Sequence, residues 1–183
     1  NKDPVYIAAG SAITSYSRNF TIRAAQANYH GVKNKGFKYA DTDSIHCDLE
    51  PEQITGIKVD DNAFCCWKLE SQWDKAIFVR QKTYIEHITH EDRIPIENQY
   101  YNIKAAGMPQ SCKEQLNISL RGATKKDIKK YKDDEQKLKF ITKKRTLKDF
   151  KVGLTISGKL VPKCIKGGVV LQETEFSLRR FNL

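Results

Sequence analysis

The sequence lacks the features that mark several classes of protein. Its five cysteines are odd in number and form no Cys-x-x-Cys pair, so neither a disulfide framework nor a zinc site is indicated. It contains no apolar run near the roughly 18 residues that a membrane span needs, and its first residues show no signal-peptide pattern. With 10 glycines and 5 prolines in 183 residues, it resembles neither a fibrous nor a disordered chain. We therefore expect a folded, soluble, cytoplasmic protein without a membrane partner.

Acidic residues are scarce relative to basic ones. The chain carries 32 lysines and arginines against 22 acidic residues, a formal net charge of +10. Such a surface favours a polyanionic partner, because lysine and arginine release condensed counterions when they contact phosphates. Charge by itself does not separate DNA from RNA or from an anionic surface, and a well-solvated surface is the simpler alternative.

One long helix is predicted near the start of the chain. Between Ser11 and His30 the apolar residues recur at intervals of three or four, the spacing of an amphipathic helix, with Ser11 available as its N-cap. The residues that define this apolar face are Ile13, Tyr16, Phe20, Ala24 and Ala27.

The next segments have β-strand character. Residues 37–48 read as a hairpin whose tip carries Asp41-Thr42-Asp43. Alternating segments at 75–80, 82–88 and 100–104 predict further strands, and strand-like segments resume at 152–156 and 168–171. The lysine-rich stretch 113–151 lies between them and is typical of a solvated face.

The pair Asp41 and Asp43 brings two hard oxygen donors together at the hairpin tip. Carboxylate oxygens are the ligands that Mg²⁺ prefers, and substrate phosphates and water complete its shell. A nucleotidyl-transfer site needs at least one more acid from elsewhere. Taken without its context, Asp-x-Asp in a turn is more often an Asx-turn or an exposed loop.

The context of this pair resembles a known family. Tyr39-Ala-Asp41-Thr-Asp43-Ser44 is similar to the YxDTDS motif, motif C, of family B DNA polymerases, and Lys82-Thr-Tyr84 resembles the KxY motif that follows it. Further segments in matching order resemble the protein-primed branch of that family. They are Asp3-Pro-Val-Tyr, Thr21-Ile-Arg-Ala-Ala-Gln-Ala, Arg80-Gln-Lys-Thr-Tyr-Ile, Lys104-Ala-Ala-Gly-Met, Phe150-Lys-Val-Gly and Gly167-Gly-Val-Val-Leu.

The resemblance implies roles for individual residues. Asp43 would be a principal ligand of two catalytic Mg²⁺ ions, and Asp41 the second carboxylate of the motif. Lys82 and Tyr84 would lie on one face of a strand and touch the primer terminus, although an ordinary exposed strand is the alternative for Lys-x-Tyr alone. Lys104 would hold primer or template backbone.

The neighbouring residues have structural roles under the same resemblance. Thr42 and Ser44 would shape the turn. Tyr39 is expected to pack, and His46 is interpreted as structural.

The resemblance also implies an architecture. We expect an α+β fold with an antiparallel palm sheet, including the acidic hairpin and the Lys82–Tyr84 strand, backed by the early helix. A small mixed thumb subdomain would follow. The expected domains are the palm over 1–106 and the thumb, with its lysine-rich insertion, over 107–183.

The sequence departs from complete members of the family. It contains no stretch like motif A, motif B or the exonuclease, and it opens as though cut from a longer chain, so we expect a fragment or a degenerate prophage remnant. Such a chain would be inactive by itself yet bind primer-template DNA. Deoxynucleoside triphosphates and a terminal protein primer would be partners of the complete enzyme. The alternative is a non-catalytic DNA-binding or replication-interaction module.

Overall fold

The computed structural model describes residues 6–180, which fall into two compact units. The first unit ends at Glu70 and the second begins at Ser71. Within the described range, no helix combines the length and the apolar character needed to cross a membrane. The combination of helices with antiparallel hairpins confirms the predicted mixed fold.

The first unit consists of one helix and one hairpin. Helix α1 spans Ile7–Ala27, strand β1 spans Phe37–Asp41 and strand β2 spans Ser44–Cys47, with a 3₁₀ turn at Pro51–Gln53. The two strands are antiparallel, and both contact α1. The predicted helix and the predicted hairpin are therefore both present.

The start of α1 differs from the prediction. The helix begins at Ile7 after Tyr6, whose side chain makes no capping hydrogen bond. Ser11 lies in the second turn, where its carbonyl accepts a hydrogen bond from the hydroxyl of Thr14 at 3.0 Å. The prediction of Ser11 as the N-cap was wrong, because apolar periodicity locates a helix better than it locates its first turn.

The buried face of α1 matches the predicted apolar face only in part. Thr21, Ala24 and Asn28 are 7%, 1% and 0% exposed, whereas Ile13 and Tyr16 are 70% and 79% exposed. The three buried residues follow the i, i+3, i+7 spacing of a single helix face. The predicted apolar face was therefore right for Ala24 and wrong for Ile13 and Tyr16, because the hydrogen bonds of Thr21 and Asn28 select the buried face.

Asn28 shows how this polar face is satisfied. Its Nδ2 donates to the Thr55 carbonyl at 2.9 Å, and its Oδ1 accepts from the Thr55 N–H at 2.9 Å. Its backbone carbonyl accepts from the N–H of Phe37 at 2.7 Å, where β1 begins. Gly36 is required beside it, because a Cβ there would lie 2.3 Å from the Asn28 carbonyl oxygen.

The second unit opens with a three-stranded antiparallel sheet. Its strands are β3 (Ser71–Arg80), β4 (Thr83–Glu91) and β5 (Ile94–Ala105), in that order. Each of the three strands predicted between residues 75 and 104 is present and is longer than predicted. Two-residue turns connect them, with Arg80 opposite Thr83 and Glu91 opposite Ile94.

The lysine-rich stretch folds into helices, after which the chain ends in a long hairpin. The elements are α2 (Gln110–Arg121), α3 (Lys125–Lys130), α4 (Glu135–Thr142), a 3₁₀ turn (Leu147–Asp149), β6 (Thr155–Ile165) and β7 (Gly168–Ser177). One hydrophobic cluster joins α2 to the strands on either side of it in sequence. Its members include Ile85, Ile103, Leu116, Phe150, Ile156 and Phe176.

Contacts within the chain divide it into two compact units, with the boundary after Glu70. The palm and thumb assignments over 1–106 and 107–183 concern family subdomains and stay predictions. The cysteines, all within the described range, are free thiols, in agreement with the absence of a disulfide framework.

Candidate functional site

The two acids Asp41 and Asp43 lie at the tip of the β1–β2 hairpin. Asp41 pairs with Ser44, which leaves Thr42 and Asp43 as a two-residue turn. Thr42 has a φ of 51°, and the N–H of Asp43 donates to the Asp41 carbonyl at 2.6 Å. A positive φ with an i to i+2 hydrogen bond is the pattern of the classic γ-turn, which is rare and strained. The predicted acidic hairpin tip is therefore confirmed, and its backbone is unusual.

The side chains of the turn differ in exposure. Asp41 is half-buried, whereas Asp43 is exposed. The Thr42 hydroxyl donates to Asp41 Oδ1 at 3.1 Å, and the Ser44 hydroxyl donates to the Asp41 carbonyl at 3.1 Å. Both hydroxyl residues thus shape the turn, as the sequence interpretation expected.

Helix α1 supports this tip from below. The hydroxyl of Thr21, a buried residue, donates to the Thr42 carbonyl at 3.0 Å and also lies 3.2 Å from the Ser17 carbonyl. The contact joins residues 21 positions apart, so no local sequence pattern indicates it.

Two aromatic side chains stabilise the strands below the tip. Tyr39 and His46 are cross-strand partners, and their ring centroids lie 5.4 Å apart at an interplanar angle of 55°. Cross-strand aromatic pairs of this kind stabilise a hairpin. The packing of Tyr39 and the structural interpretation of His46 agree with this geometry.

The hairpin tip offers oxygen donors of the kind that Mg²⁺ prefers. Within residues 6–180, however, no three His, Cys, Asp or Glu side chains group closely enough to hold a metal ion. Asp41 and Asp43 therefore provide the kind of ligand that Mg²⁺ prefers. The described residues do not add the further acid that a nucleotidyl-transfer site needs. The role of Asp41 and Asp43 as metal ligands stays a prediction.

Lys82 lies in a turn and not on a strand. It is the second residue of the Gln81-Lys82 turn between β3 and β4, and its φ is 54°. Its carbonyl accepts a hydrogen bond from the Ala106 N–H at 3.0 Å, after the end of β5. The argument that Lys82 and Tyr84 share one face of a strand was wrong, because β4 begins only at Thr83.

Tyr84 and Lys104 do share a face. Phe78, Tyr84 and Lys104 are directly opposite one another on β3, β4 and β5, so they form a cross-strand row on one side of the sheet. The rings of Tyr84 and Phe78 lie 5.6 Å apart between centroids. Tyr84 is 8% exposed, whereas Lys104 is exposed. Their contacts with a primer stay predictions.

A basic cleft in the second unit was not anticipated as a site. It has a volume of about 500 Å³ and is lined by Ala106, Gly107, Phe176 and Ser177 together with charged residues. Those charged residues are Arg80, Lys159, Arg179, Arg180 and Glu175. The sequence signal was weak, because Arg80 and the residues at 159–180 are separated by almost half of the chain.

Comparisons with known proteins give a consistent result. No protein-family model matches the sequence. The DNA polymerase of Streptococcus phage Cp-1 is 31% identical over 176 residues, covering 96% of this chain and 24% of that protein. The DNA polymerase of Bacillus phage phi29 is 33% identical over 181 residues, covering 97% and 27%.

Solved structures agree with the sequence relatives. Phi29 DNA polymerase complexed with primer-template DNA matches with a TM-score of 0.64 at 30% identity, covering 98% of this chain and 27% of that one. The same enzyme complexed with single-stranded DNA matches with a TM-score of 0.66 at 29% identity, covering 98% and 28%. The chain thus spans about a quarter of the length of these relatives.

Proposed function

This chain is homologous to phage DNA polymerases over nearly its whole length, and we propose that it supplies two metal-binding acids and a DNA-binding surface to template-directed DNA synthesis. The observation that carries the proposal is the Asp41-Thr42-Asp43 turn at the end of a hairpin. Its sequence context matches motif C of family B DNA polymerases. The fold that presents it is similar to solved structures of such an enzyme.

Asp43 would act as a principal ligand of the catalytic metal, and Asp41 would support it. Two bound Mg²⁺ ions would stabilise the attacking and leaving oxygens of the nucleotidyl transfer. Sequence beyond these 183 residues or a second polypeptide would have to add a further acid, since the described residues bring only two acids together at the tip. The 183-residue chain is therefore inactive by itself under this proposal.

The proposed DNA surface lies in the second unit. Lys82 and Lys104 would contact the sugar-phosphate backbone, and Tyr84 would support the primer terminus. The basic side chains Arg80, Lys159, Arg179 and Arg180 around the cleft extend this surface. Support comes from the net charge of +10 and from the primer-template DNA held by the solved phi29 polymerase.

Other partners belong to the complete enzyme. The solved phi29 polymerase with primer-template DNA and incoming nucleotides supports deoxynucleoside triphosphates as substrates. Priming by a terminal protein follows from the resemblance to the protein-primed branch. The palm over 1–106, the thumb over 107–183 and a place in the cytoplasm of a host bacterium are parts of the same proposal.

The second candidate is a DNA-binding module without chemistry, favoured by the presence of only two grouped acids. Carboxylate variants separate the two candidates by their effect on DNA synthesis and not by their effect on DNA binding. Under either candidate, a chain with Asp41→Asn and Asp43→Asn should bind duplex DNA as well as the unsubstituted chain or slightly better, because two negative charges are removed. The two candidates differ only in whether the acids are needed for synthesis.

A chimera tests that need directly. The matching quarter of phi29 DNA polymerase is replaced by this chain, and Mg²⁺-dependent extension of a recessed-end primer is measured. We expect extension, abolished by Asp43→Ala. Extension that survives Asp43→Ala would overturn the metal-ligand role, whereas a chimera that binds DNA without extending it would favour the non-catalytic candidate.

The DNA surface is tested on the 183-residue chain itself, by gel shift with the same duplex at several salt concentrations. Lys82→Ala and Lys104→Ala should each weaken binding and reduce the slope of log K against log salt by about 1, as expected for one phosphate contact. Lys35→Ala, in the exposed loop before β1, removes the same charge and serves as the control. Equal effects of all three substitutions would contradict a specific role for Lys82 and Lys104.

A further inference from the structure

The peptide unit between Thr42 and Asp43 is held at both ends. Its carbonyl accepts the hydrogen bond from the Thr21 hydroxyl at 3.0 Å. Its N–H donates to the Asp41 carbonyl at 2.6 Å. Because a peptide unit is planar, fixing its carbonyl and its N–H fixes the direction in which the chain enters Asp43.

We propose that Thr21 is a positioning residue for the candidate metal site, acting through the Thr42 carbonyl to set the backbone that presents Asp41 and Asp43. The inference rests on the proposed function for its chemical meaning, since a metal site requires the two acids in a fixed arrangement. The hydrogen bond and the turn geometry on which it is built do not depend on that function.

The turn needs such a support because its conformation is costly. Thr42 is β-branched and has a φ of 51°, in the left-handed region that such residues rarely adopt. Strained backbone of this kind persists only where the surrounding structure holds it, and it is common at functional sites. Thr21 is 7% exposed, so its hydroxyl is shielded from water, and the Thr42 carbonyl at 3.0 Å is a nearer acceptor than the Ser17 carbonyl at 3.2 Å.

The segment of α1 and Asn28 holds the hairpin at two separate points. Thr21 and Asn28 are seven residues apart, about 10 Å along the axis of α1. Asn28 receives the hydrogen bond from Phe37 at the base of β1, and Thr21 donates to the tip just past Asp41. Five residues of extended chain, about 16 Å, separate Phe37 from Thr42. The hairpin is therefore attached to one helix at both its base and its tip.

The experiment uses the whole 183-residue chain and two NMR readouts. Amide chemical shifts of Thr42 and Asp43 report the geometry of the turn, and paramagnetic broadening by Mn²⁺ alone reports metal binding at its tip. Thr21→Val removes the hydroxyl and keeps the side-chain shape, and Thr21→Ser keeps the hydroxyl. Thr14→Val is the matched control, because the Thr14 hydroxyl bonds only to helix carbonyls of Gly10 and Ser11.

We expect Thr21→Val to shift the Thr42 and Asp43 amides and to weaken Mn²⁺ binding about two- to tenfold, the range that one lost hydrogen bond gives. In Thr21→Ser, the amide shifts and the Mn²⁺ affinity should stay close to those of the unsubstituted chain. Thr14→Val should change neither quantity. Amides at the tip that remain unchanged in Thr21→Val would overturn the proposal, as would equal effects of Thr21→Val and Thr14→Val.

The positioning role and the metal site can fail separately. If Mn²⁺ broadens the tip resonances of the unsubstituted chain and of the Asp43→Asn variant equally, the proposed metal site fails and Thr21 loses its chemical role with it. If Thr21→Val disturbs folding, the hydroxyl proton of Thr21 is observed by NMR in the unsubstituted chain. A scalar coupling between that proton and the Thr42 carbonyl ¹³C confirms the hydroxyl donor, whereas a coupling to the Ser17 carbonyl ¹³C alone overturns it.

Discussion

At the scale of single residues, the turn between β4 and β5 carries backbone strain. Asp92 and Arg93 have φ values of 44° and 67°, so both lie in the left-handed region. Two positive φ values in a two-residue hairpin define a type I′ turn, which favours Asn-Gly or Asp-Gly. Arg93 therefore occupies a position that suits glycine.

Arg93→Gly should stabilise the protein. The left-handed conformation costs a non-glycine residue about 1 to 2 kcal/mol, partly offset by the greater freedom of glycine in the unfolded chain, which leaves a gain of about 0.5 kcal/mol. Urea denaturation followed by circular dichroism measures the free energy of unfolding. Arg93→Ala removes the same charge but keeps Cβ, so it should not stabilise; a gain equal to that of glycine would contradict the strain argument.

At the scale of elements, a β-bulge in β6 fixes the long hairpin to the helices. The register shifts between Ser157 and Lys159, and Gly158 has a φ of 105°. The Ser157 carbonyl accepts from Gln115 Nε2 at 2.8 Å, and the Gly158 carbonyl accepts from the Ser111 hydroxyl at 3.0 Å. Helix α2 thus supports the bulge directly.

Gly158→Ala should destabilise this arrangement. A Cβ at Gly158 would lie 3.2 Å from Gln115 Nε2 and 3.4 Å from Lys137 Cε, in a backbone conformation that alanine rarely adopts. We expect a loss of roughly 2 kcal/mol or more in the free energy of unfolding. Gly167→Ala is the control, since its φ is 94° but no atom lies within 4 Å of the added Cβ. A smaller loss at Gly158 than at Gly167 would contradict the role of crowding.

Carboxylate caps make the lysine-rich helices sensitive to acid. The backbone N–H of Lys137 and its ammonium hold the pKa of Asp134, the N-cap of α4, below its ordinary value of 3.8. The N–H of Thr146 likewise holds the pKa of Asp149 below 3.8, in the 3₁₀ turn. Because the folded-state pKa values are depressed, these carboxylates contribute full stability above 3.8 and lose it as the pH falls through the folded-state values.

Asp134→Asn tests this contribution. Asparagine keeps a capping oxygen but does not titrate, so the fall in stability between about pH 5 and pH 2 should become shallower. Urea unfolding at a series of pH values measures the slope. Asp133→Asn, on the exposed neighbour, removes the same charge and should leave the slope closer to that of the unsubstituted chain. Identical slopes for both variants would contradict the capping argument.

The elements also show what the sequence could and could not predict. The acidic hairpin was predictable because turn residues and alternating strands lie within a dozen residues of one another. The buried face of α1 was not, because Thr21 and Asn28 are satisfied by Thr42 and Thr55, more than 20 residues away. Lys82 was misplaced because residue spacing does not reveal where a two-residue turn ends and its strand begins.

At the scale of the whole molecule, the first cut by a protease should fall near the end of the first unit. Phe64 is 99% exposed and lies in a segment without helix or strand, before the second unit begins at Ser71. Chymotrypsin should cleave after Phe64 before it cuts within β3 to β7, as read by mass spectrometry. The released carboxy-terminal piece should stay folded, because the hydrophobic cluster lies entirely beyond Ser71. Phe64→Ala should slow this cut, and early cleavage inside the cluster would contradict the division.

The hydrogen bonds on the buried face of α1 restrict the rotation of that helix about its own axis. Apolar contacts tolerate rotation, whereas the bonds from Thr21 to Thr42 and from Asn28 to Thr55 are directional. A rotation of about 100° around the helix axis, equivalent to one residue, would point both side chains away from their partners. Exchanging Ile13 or Tyr16, which are 70% and 79% exposed, for other residues should therefore leave the rotation of α1 about its axis unchanged.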